Sequence, residues 1–250
     1  EQGADVVNLS LGGGDTPELD PLEEAVNTLS AQTGVLFVIA AGNNSRPETV
    51  SSPGSADAAL TVGAVDRQDG IAPFSSRGPR VGDGAVKPDI TAPGVDVVAA
   101  KSRSGTVGTP VADGYVAMSG TSMATPHVAG AAAVLAQQHP DWTGAQIKAA
   151  LVGSAKNNPA LTAFDQGAGR VDLAKAITTS LTAEPASLAL GLQKWPHDDD
   201  TPVSKIVTYR NEGTAPVTVT LAVEAKGPDG GSAPTGVVGV SPAKLAAAMA

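Results

Sequence analysis

Residues Gly120 to Gly130 read Gly-Thr-Ser-Met-Ala-Thr-Pro-His-Val-Ala-Gly, and one hydroxyl in that run is placed for nucleophilic chemistry. Ser122 opens a stretch, Ser122 to Gln138, that is small, apolar and helical in character. The first N–H groups of a helix lack intrahelical acceptors and lie at its positive end, so a serine there has donors beside it for an anion formed by its attack. Acyl transfer needs such a nucleophile, a base for its proton, and donors aimed at the developing oxyanion. Asn43 offers a second donor: it ends Ala40-Ala41-Gly42-Asn43, just past the apolar run Val35 to Ile39, where open α/β sheets place their ligands. Gly120 lets the backbone approach a substrate, and Pro126 is expected in the first helical turn, where a missing N–H costs nothing.

A base is harder to find. The chain has three histidines, His127, His139 and His197. Five helical steps of about 100° turn His127 roughly 140° away from Ser122, so the two side chains cannot face each other. His139 ends a helix before Pro140, a place that suits a cation. His197 precedes Asp198-Asp199-Asp200 in a polar loop whose spacing matches no calcium-loop pattern. Other serine hydrolase arrangements fail on spacing. Gly-x-Ser-x-Gly is absent, and the Ser-x-x-Lys at Ser241 to Lys244 contains Pro242 and has no helical pattern around it.

The elements that would hold these groups alternate in type. Val6 to Leu11 reads as a strand closed by Gly12-Gly13-Gly14, and Asp20-Pro21 opens a helix reaching about Gln32. Val35 to Ile39 and Ala59 to Val65 are continuous apolar runs of the kind buried in a parallel sheet, and Asp96 to Ala100 is a weaker one. Helices are expected over Ser122 to Gln138, over Thr143 to Ser154 with Thr143 as N-cap, and over about Val171 to Thr178. Strands alternating with helices argue an α/β fold with a doubly wound, mostly parallel sheet. Near residue 180 the pattern changes to short β-type runs. Ile206 to Tyr209 and Val217 to Leu221 flank Asn211-Glu212-Gly213, which predicts a hairpin. Residues 1–180 thus read as one domain, and 181–250 as part of an immunoglobulin- or fibronectin-like β-module, short of the ~100 residues such a sandwich needs.

Composition narrows the function classes. The chain of 250 residues is 42% hydrophobic, enough for a packed core, and its net charge of −9 disfavours nucleic acid and anionic membranes as partners. It contains no cysteine, which excludes disulfides and thiolate chemistry. No apolar run approaches the ~20 residues that span a bilayer. Glu1 to Val7 is not a start signal, and the chain ends at Ala250 without a closing turn, so both ends read as cut from a longer protein.

The run from Gly120 to Gly130 resembles the nucleophile motif of the subtilisin-like serine proteases, the subtilases. Ala40 to Asn43 resembles that family's oxyanion-hole segment, and Asn8-Leu9-Ser10-Leu11-Gly12-Gly13 its substrate-pairing strand. Ser51 to Gly54, Phe74 to Pro79 and Lys87 to Gly94 follow in the family's order, so the resemblance covers about residues 3 to 176. It implies a serine endopeptidase with Ser122 and Asn43 as catalytic residues. It also implies substrate binding by Ser10, Leu11, Gly12, Ala41 and Gly42, the last two walling the side chain before the scissile bond. In the family the residue at His127 packs. The family's catalytic Asp and His motifs are absent from these 250 residues and are expected upstream of Glu1. The alternative is an inactive, peptide-binding remnant should these residues be the whole protein; a structural role for the β-module, which has no aromatic platform beyond Trp195 and Tyr209, ranks below it. The resemblance further implies an extracellular protein acting on polypeptide substrates, expected to be a monomer. Its chemistry requires no cofactor; calcium often stabilises the family, but no metal ligand set is legible here.

Overall fold

A computed structural model describes residues 3–193, 195–227 and 231–247; the first two and last three residues lie outside that range. Four parallel strands form the central sheet in the order β1 (Val6–Leu9), β2 (Leu36–Ala40), β3 (Leu60–Val65) and β4 (Ile90–Pro93). Every residue of β3 is buried, which is why its sequence is apolar throughout and not alternating. Helix α1 (Pro21–Thr33) begins where Asp20 accepts from the N–H groups of Leu22 and Glu23 while the Glu23 side chain returns to the Asp20 N–H. It ends at Gly34, whose φ of 73° is the left-handed conformation glycine adopts freely.

Helices cover both faces of the sheet, as the alternating pattern predicts. Val26 of α1 packs with Ile39, Ala56 and Ala59 on one side. On the other, Leu36, Val38, Leu60, Val62 and Ile90 meet Val128 and Leu135 of α2 (Thr121–Gln138) and Ile147 and Leu151 of α3 (Gly144–Ser154). Each such buried aliphatic side chain contributes about 1.5–3 kcal/mol. Thr143 caps α3 as expected, accepting from the Gln146 N–H.

Several elements depart from expectation. The weak run near Asp96 is β5 (Val97–Ala100), but it leaves the parallel sheet and joins β6 (Thr109–Ala112) and β7 (Tyr115–Met118) in a small antiparallel sheet of order β5-β7-β6. The helix expected over Val171 to Thr178 shrinks to α5 (Leu173–Ala176), capped by Asp172, whose backbone is non-helical and whose side chain accepts from the Lys175 N–H. A further short helix, α4 (Ala163–Gln166), precedes it.

The hairpin around Asn211-Glu212-Gly213 is overturned. β9 (Thr208–Asn211) pairs with β8 (Leu181–Glu184), and β10 (Val217–Thr220) with β11 (Lys244–Ala247). Asn211 is buried, and its Nδ2 donates to the carbonyls of Ala215 and Ala247 while its Oδ1 accepts from Gly213 N–H. That side chain turns the strand away from its sequence neighbour and ties two separate ladders together. Among the described residues, no helix is long and apolar enough to cross a membrane.

Candidate active site

Ser122 stands at the second position of α2, and the loop before it is held against the sheet. Gly120 N–H donates to the Gly94 carbonyl at 2.8 Å. A Cβ on Gly94 would lie 2.7 Å from Ala64 Cβ and 2.8 Å from the Gly120 carbonyl, so only glycine allows this approach. Pro126 is not in the first turn but inside the helix. It has no N–H for the carbonyl four residues earlier, that of Ser122. Ser10 Oγ donates to that carbonyl instead, at 2.9 Å. The proline thus frees an acceptor through which the strand end after β1 grips the nucleophile's own backbone. Ser122 Oγ itself donates to the Ser10 carbonyl at 3.3 Å, a long bond that leaves the hydroxyl easily released.

Thr121, fully buried, sets the second donor. Asn43 Oδ1 accepts from Thr121 N–H at 2.9 Å and from Thr121 Oγ1 at 3.1 Å, and Thr121 Oγ1 accepts from Gly42 N–H at 3.2 Å. With its oxygen engaged, the Asn43 amide has its Nδ2 left to face outward. Among the described residues neither Asn43 Nδ2 nor the Ser122 N–H has a protein acceptor. Both residues line one cleft of about 360 Å³ together with Leu11, Gly12, Gly42 and Ser51. Two unbonded donors beside a serine hydroxyl suit the charge that forms when a hydroxyl adds to a carbonyl.

The other candidate residues fall around this cleft. Leu11 is 53% exposed, and the backbone of Leu11 and Gly12 makes no hydrogen bond among the described residues, leaving an extended edge for an incoming strand. Gly42 lines the cleft with a φ of 102°. Ala41 does not reach it: its side chain is fully buried, its N–H donates to the Val62 carbonyl, and its own carbonyl accepts from Ser51. Sequence reasoning quoted Thr121 and Ser51 within its motifs but gave neither a role at the site. The first lay in the nucleophile run and the second in the Ser51 to Gly54 stretch; only the fold brings both to the cleft.

No described histidine reaches Ser122. His127 lies exposed, not packed, with Nδ1 2.9 Å from the Met123 carbonyl. His139 stacks on Trp142 with ring centroids 3.8 Å apart, and His197 pairs with Asp200 at 2.8 Å. Among the described residues, no group of three or more histidine or acidic side chains could hold a metal ion.

A larger cavity, about 1060 Å³, lies elsewhere, between the start of α3, Lys87 and the segment after β8. The charged groups beneath it pair with one another, while the Ser30 hydroxyl on its wall is buried without a partner among the described residues. Lys87 Nζ donates to Asp89 at 2.8 Å, to Thr61 Oγ1 at 2.7 Å and to the Ala59 carbonyl at 3.0 Å; Lys148 approaches Asp89 at 3.3 Å. Burial pushes Lys87 down to about 8, against the pull of Asp89. Burial raises Asp89, but Lys148 and Lys87 outweigh it and hold the carboxyl below its usual range. The small cleft, not the large cavity, carries reactive groups.

Comparison with known proteins places the chain among proteases. The family model described as the subtilase family matches residues 1–169. Serine protease AprX of Bacillus subtilis (strain 168) is 40% identical over 161 residues, covering 58% of this chain and 36% of that protein. Subtilisin BL of Lederbergia lenta is 38% identical over 165 residues, covering 66% of this chain and 54% of its own length. The chain thus spans about a third to a half of these relatives. Among solved structures, the prenylagaramide maturation protease PagA superposes with a TM-score of 0.59 at 31% identity, over 70% of this chain and 62% of that one.

Proposed function

We propose, from the premise that this chain belongs to the subtilase family, that it is the nucleophile-bearing part of a serine endopeptidase. The observation that carries the reading is the pair of unbonded donors, Ser122 N–H and Asn43 Nδ2, on one cleft with the Ser122 hydroxyl. A polypeptide lies extended along Ser10, Leu11 and Gly12 through its backbone. Ser122 Oγ forms a bond to the scissile carbonyl carbon while the carbonyl electron pair moves onto oxygen, between the two donors. Collapse of that intermediate breaks the C–N bond, and the amine leaves with the proton that Ser122 surrendered. Water then repeats the steps on the acyl-serine.

The base that carries this proton, with the carboxylate that orients it, is assigned to residues outside 1–250. Support comes from topology: β1 is one of the sheet's two edge strands, pairing with β2 alone among the described strands. A further parallel strand beside it would end at the same rim as β1, next to Ser10 and hence Ser122. The chemistry uses no cofactor, and no calcium site is assigned. Residues 181–250 are taken as a separate β-module, and the protein as an extracellular monomer; its acidic, cysteine-free composition agrees with that setting.

The full product of the reading frame should be labelled by a fluorophosphonate at Ser122, and its Ser122→Ala variant should not. Labelling that survives in the variant would place the nucleophile elsewhere. An unlabelled wild-type protein would favour the peptide-binding remnant.

A further inference from the structure

The peptide units on either side of Ser122 are pinned one by one. Thr121 N–H donates to Asn43 Oδ1, the Thr121 carbonyl accepts from Thr125 Oγ1 at 2.8 Å, and Met123 N–H donates to the Gly120 carbonyl at 3.0 Å. The anchor at the Ser122 carbonyl comes from a different element. Pro126 has no N–H to give it, and the proline ring crowds the carbonyl four residues back, leaving it to an outside donor. Ser10 Oγ, 112 residues away in the chain, is that donor at 2.9 Å.

The direction of the Ser10 hydroxyl is set from behind. Asn8 Nδ2 donates to Ser10 Oγ at 3.0 Å, so the oxygen accepts on that side and its own hydrogen is free to point at Ser122. Asn8 and Ser10 are two residues apart, the spacing that puts both side chains on one side of an extended chain. Asn8 is itself held in the central sheet, where β1 pairs it with Val38 of β2. A relay thus runs from the sheet to the nucleophile: the Asn8 amide, the Ser10 hydroxyl, the Ser122 carbonyl.

We infer that Ser10 is a positioning residue for the nucleophile through its side chain, with Asn8 orienting its hydroxyl and Pro126 vacating its acceptor. The inference rests on the endopeptidase reading. Ser10 leads directly into the Leu11–Gly12 edge, so its bond ties Ser122 to the short segment along which the substrate backbone lies. Nucleophile and scissile carbonyl then share one frame of reference. Asn8 and Ser10 are both exposed, and water competes with each of their bonds. A substrate strand along the edge shuts that water out, so the relay is strongest in the bound complex. Loss of the hydroxyl therefore shows in kcat and not in KM.

The test uses the full product of the reading frame and the peptide p-nitroanilide that it cleaves fastest. Ser10→Ala should lower kcat by about 10-fold or more and change KM by less than about 2-fold; Ser10→Thr, which keeps the hydroxyl, should recover most of that loss. Asn8→Ala should act in the same direction with a smaller loss. The decisive measurement is a double-mutant cycle with Pro126→Ala, which returns an N–H to the Ser122 carbonyl and takes the acceptor away from Ser10. In that background Ser10→Ala should cost less than about 2-fold. The same factor in both backgrounds, or an unchanged kcat in Ser10→Ala, overturns the inference alone. Should Pro126→Ala be inactive, the two Ser10 variants decide, and equal losses in both overturn it. A wild type that cleaves no p-nitroanilide and takes no fluorophosphonate overturns the endopeptidase reading, and this inference with it.

Discussion

Two polar clusters in this molecule are built to different ends, one closed inside the fold and one open to a cleft. Around Asp89, every charged atom has found a partner: two lysine ammonium groups, the Thr61 N–H and hydroxyl, and the Ala59 carbonyl close on one another beneath the larger cavity. Around Ser122, the partners stop one group short. Thr121 and Asn43 satisfy each other, but the Ser122 N–H, Asn43 Nδ2 and the Ser51 hydroxyl face the cleft unbonded. Donors left unbonded at a cleft are groups that a ligand can complete. Cavity size alone does not find the reactive groups; the pairing of the charged groups in one cluster and the free donors beside a serine hydroxyl in the other do.

The comparison can be broken from the structural side. Asp89→Ala would leave Lys87 and Lys148 buried against one another without an anion, and is expected to destabilise the fold by about 3–5 kcal/mol. Urea denaturation should show this as a lower midpoint with an unchanged slope. A change below about 1 kcal/mol would mean that the lysines reach solvent and that the cluster is not closed.

A smaller effect is expected at the loop behind the cleft wall. Burial first, then the nearby Glu23 carboxyl, raises Asp15 from 3.8 to about 6. Asp15 Oδ2 is buried with no donor, and the pocket of about 400 Å³ around it also presents Glu18, Asp57, Asp83 and Arg80. The folded state binds this proton more tightly than the unfolded chain does. The stabilisation is therefore fully present below about pH 4 and is lost as pH rises from about 4 to 6. Because Asp15 is partly exposed, the loss is discounted to about 1 kcal/mol. Asp15→Asn should raise the melting temperature at pH 7 and leave it nearly unchanged at pH 4. An equal shift at both pH values would assign the effect to packing and not to charge.

Much of the cleft was legible in the chain because its parts are local. Ser122 and Asn43 lie in short runs whose glycines and small residues announce close backbone approach, and the apolar runs of β2 and β3 announce a buried parallel sheet. What completes the cleft was not legible, because the quoted residues Ser51 and Pro126 act across sequence. Ser51 reaches the glycine walls through a loop, and Pro126 matters through the carbonyl it releases to Ser10. The C-terminal strands misled for the same reason: Asn211-Glu212-Gly213 has hairpin composition, but the buried Asn211 side chain bonds to Ala247, 36 residues on. A turn signal carries no information about such a partner.

The account depends most on the claim that Asn43 Nδ2 is kept free for a charge that exists only during reaction. Asn43→Ala in the full product of the reading frame should lower kcat by about 10²–10³-fold, the cost known for losing one such donor in a subtilisin. KM and the melting temperature should hardly move, since Asn43 is exposed and the substrate's ground state does not need it. Unchanged kcat, or a loss that appears only as a raised KM, would contradict the assignment of this cleft as the place where the oxyanion forms.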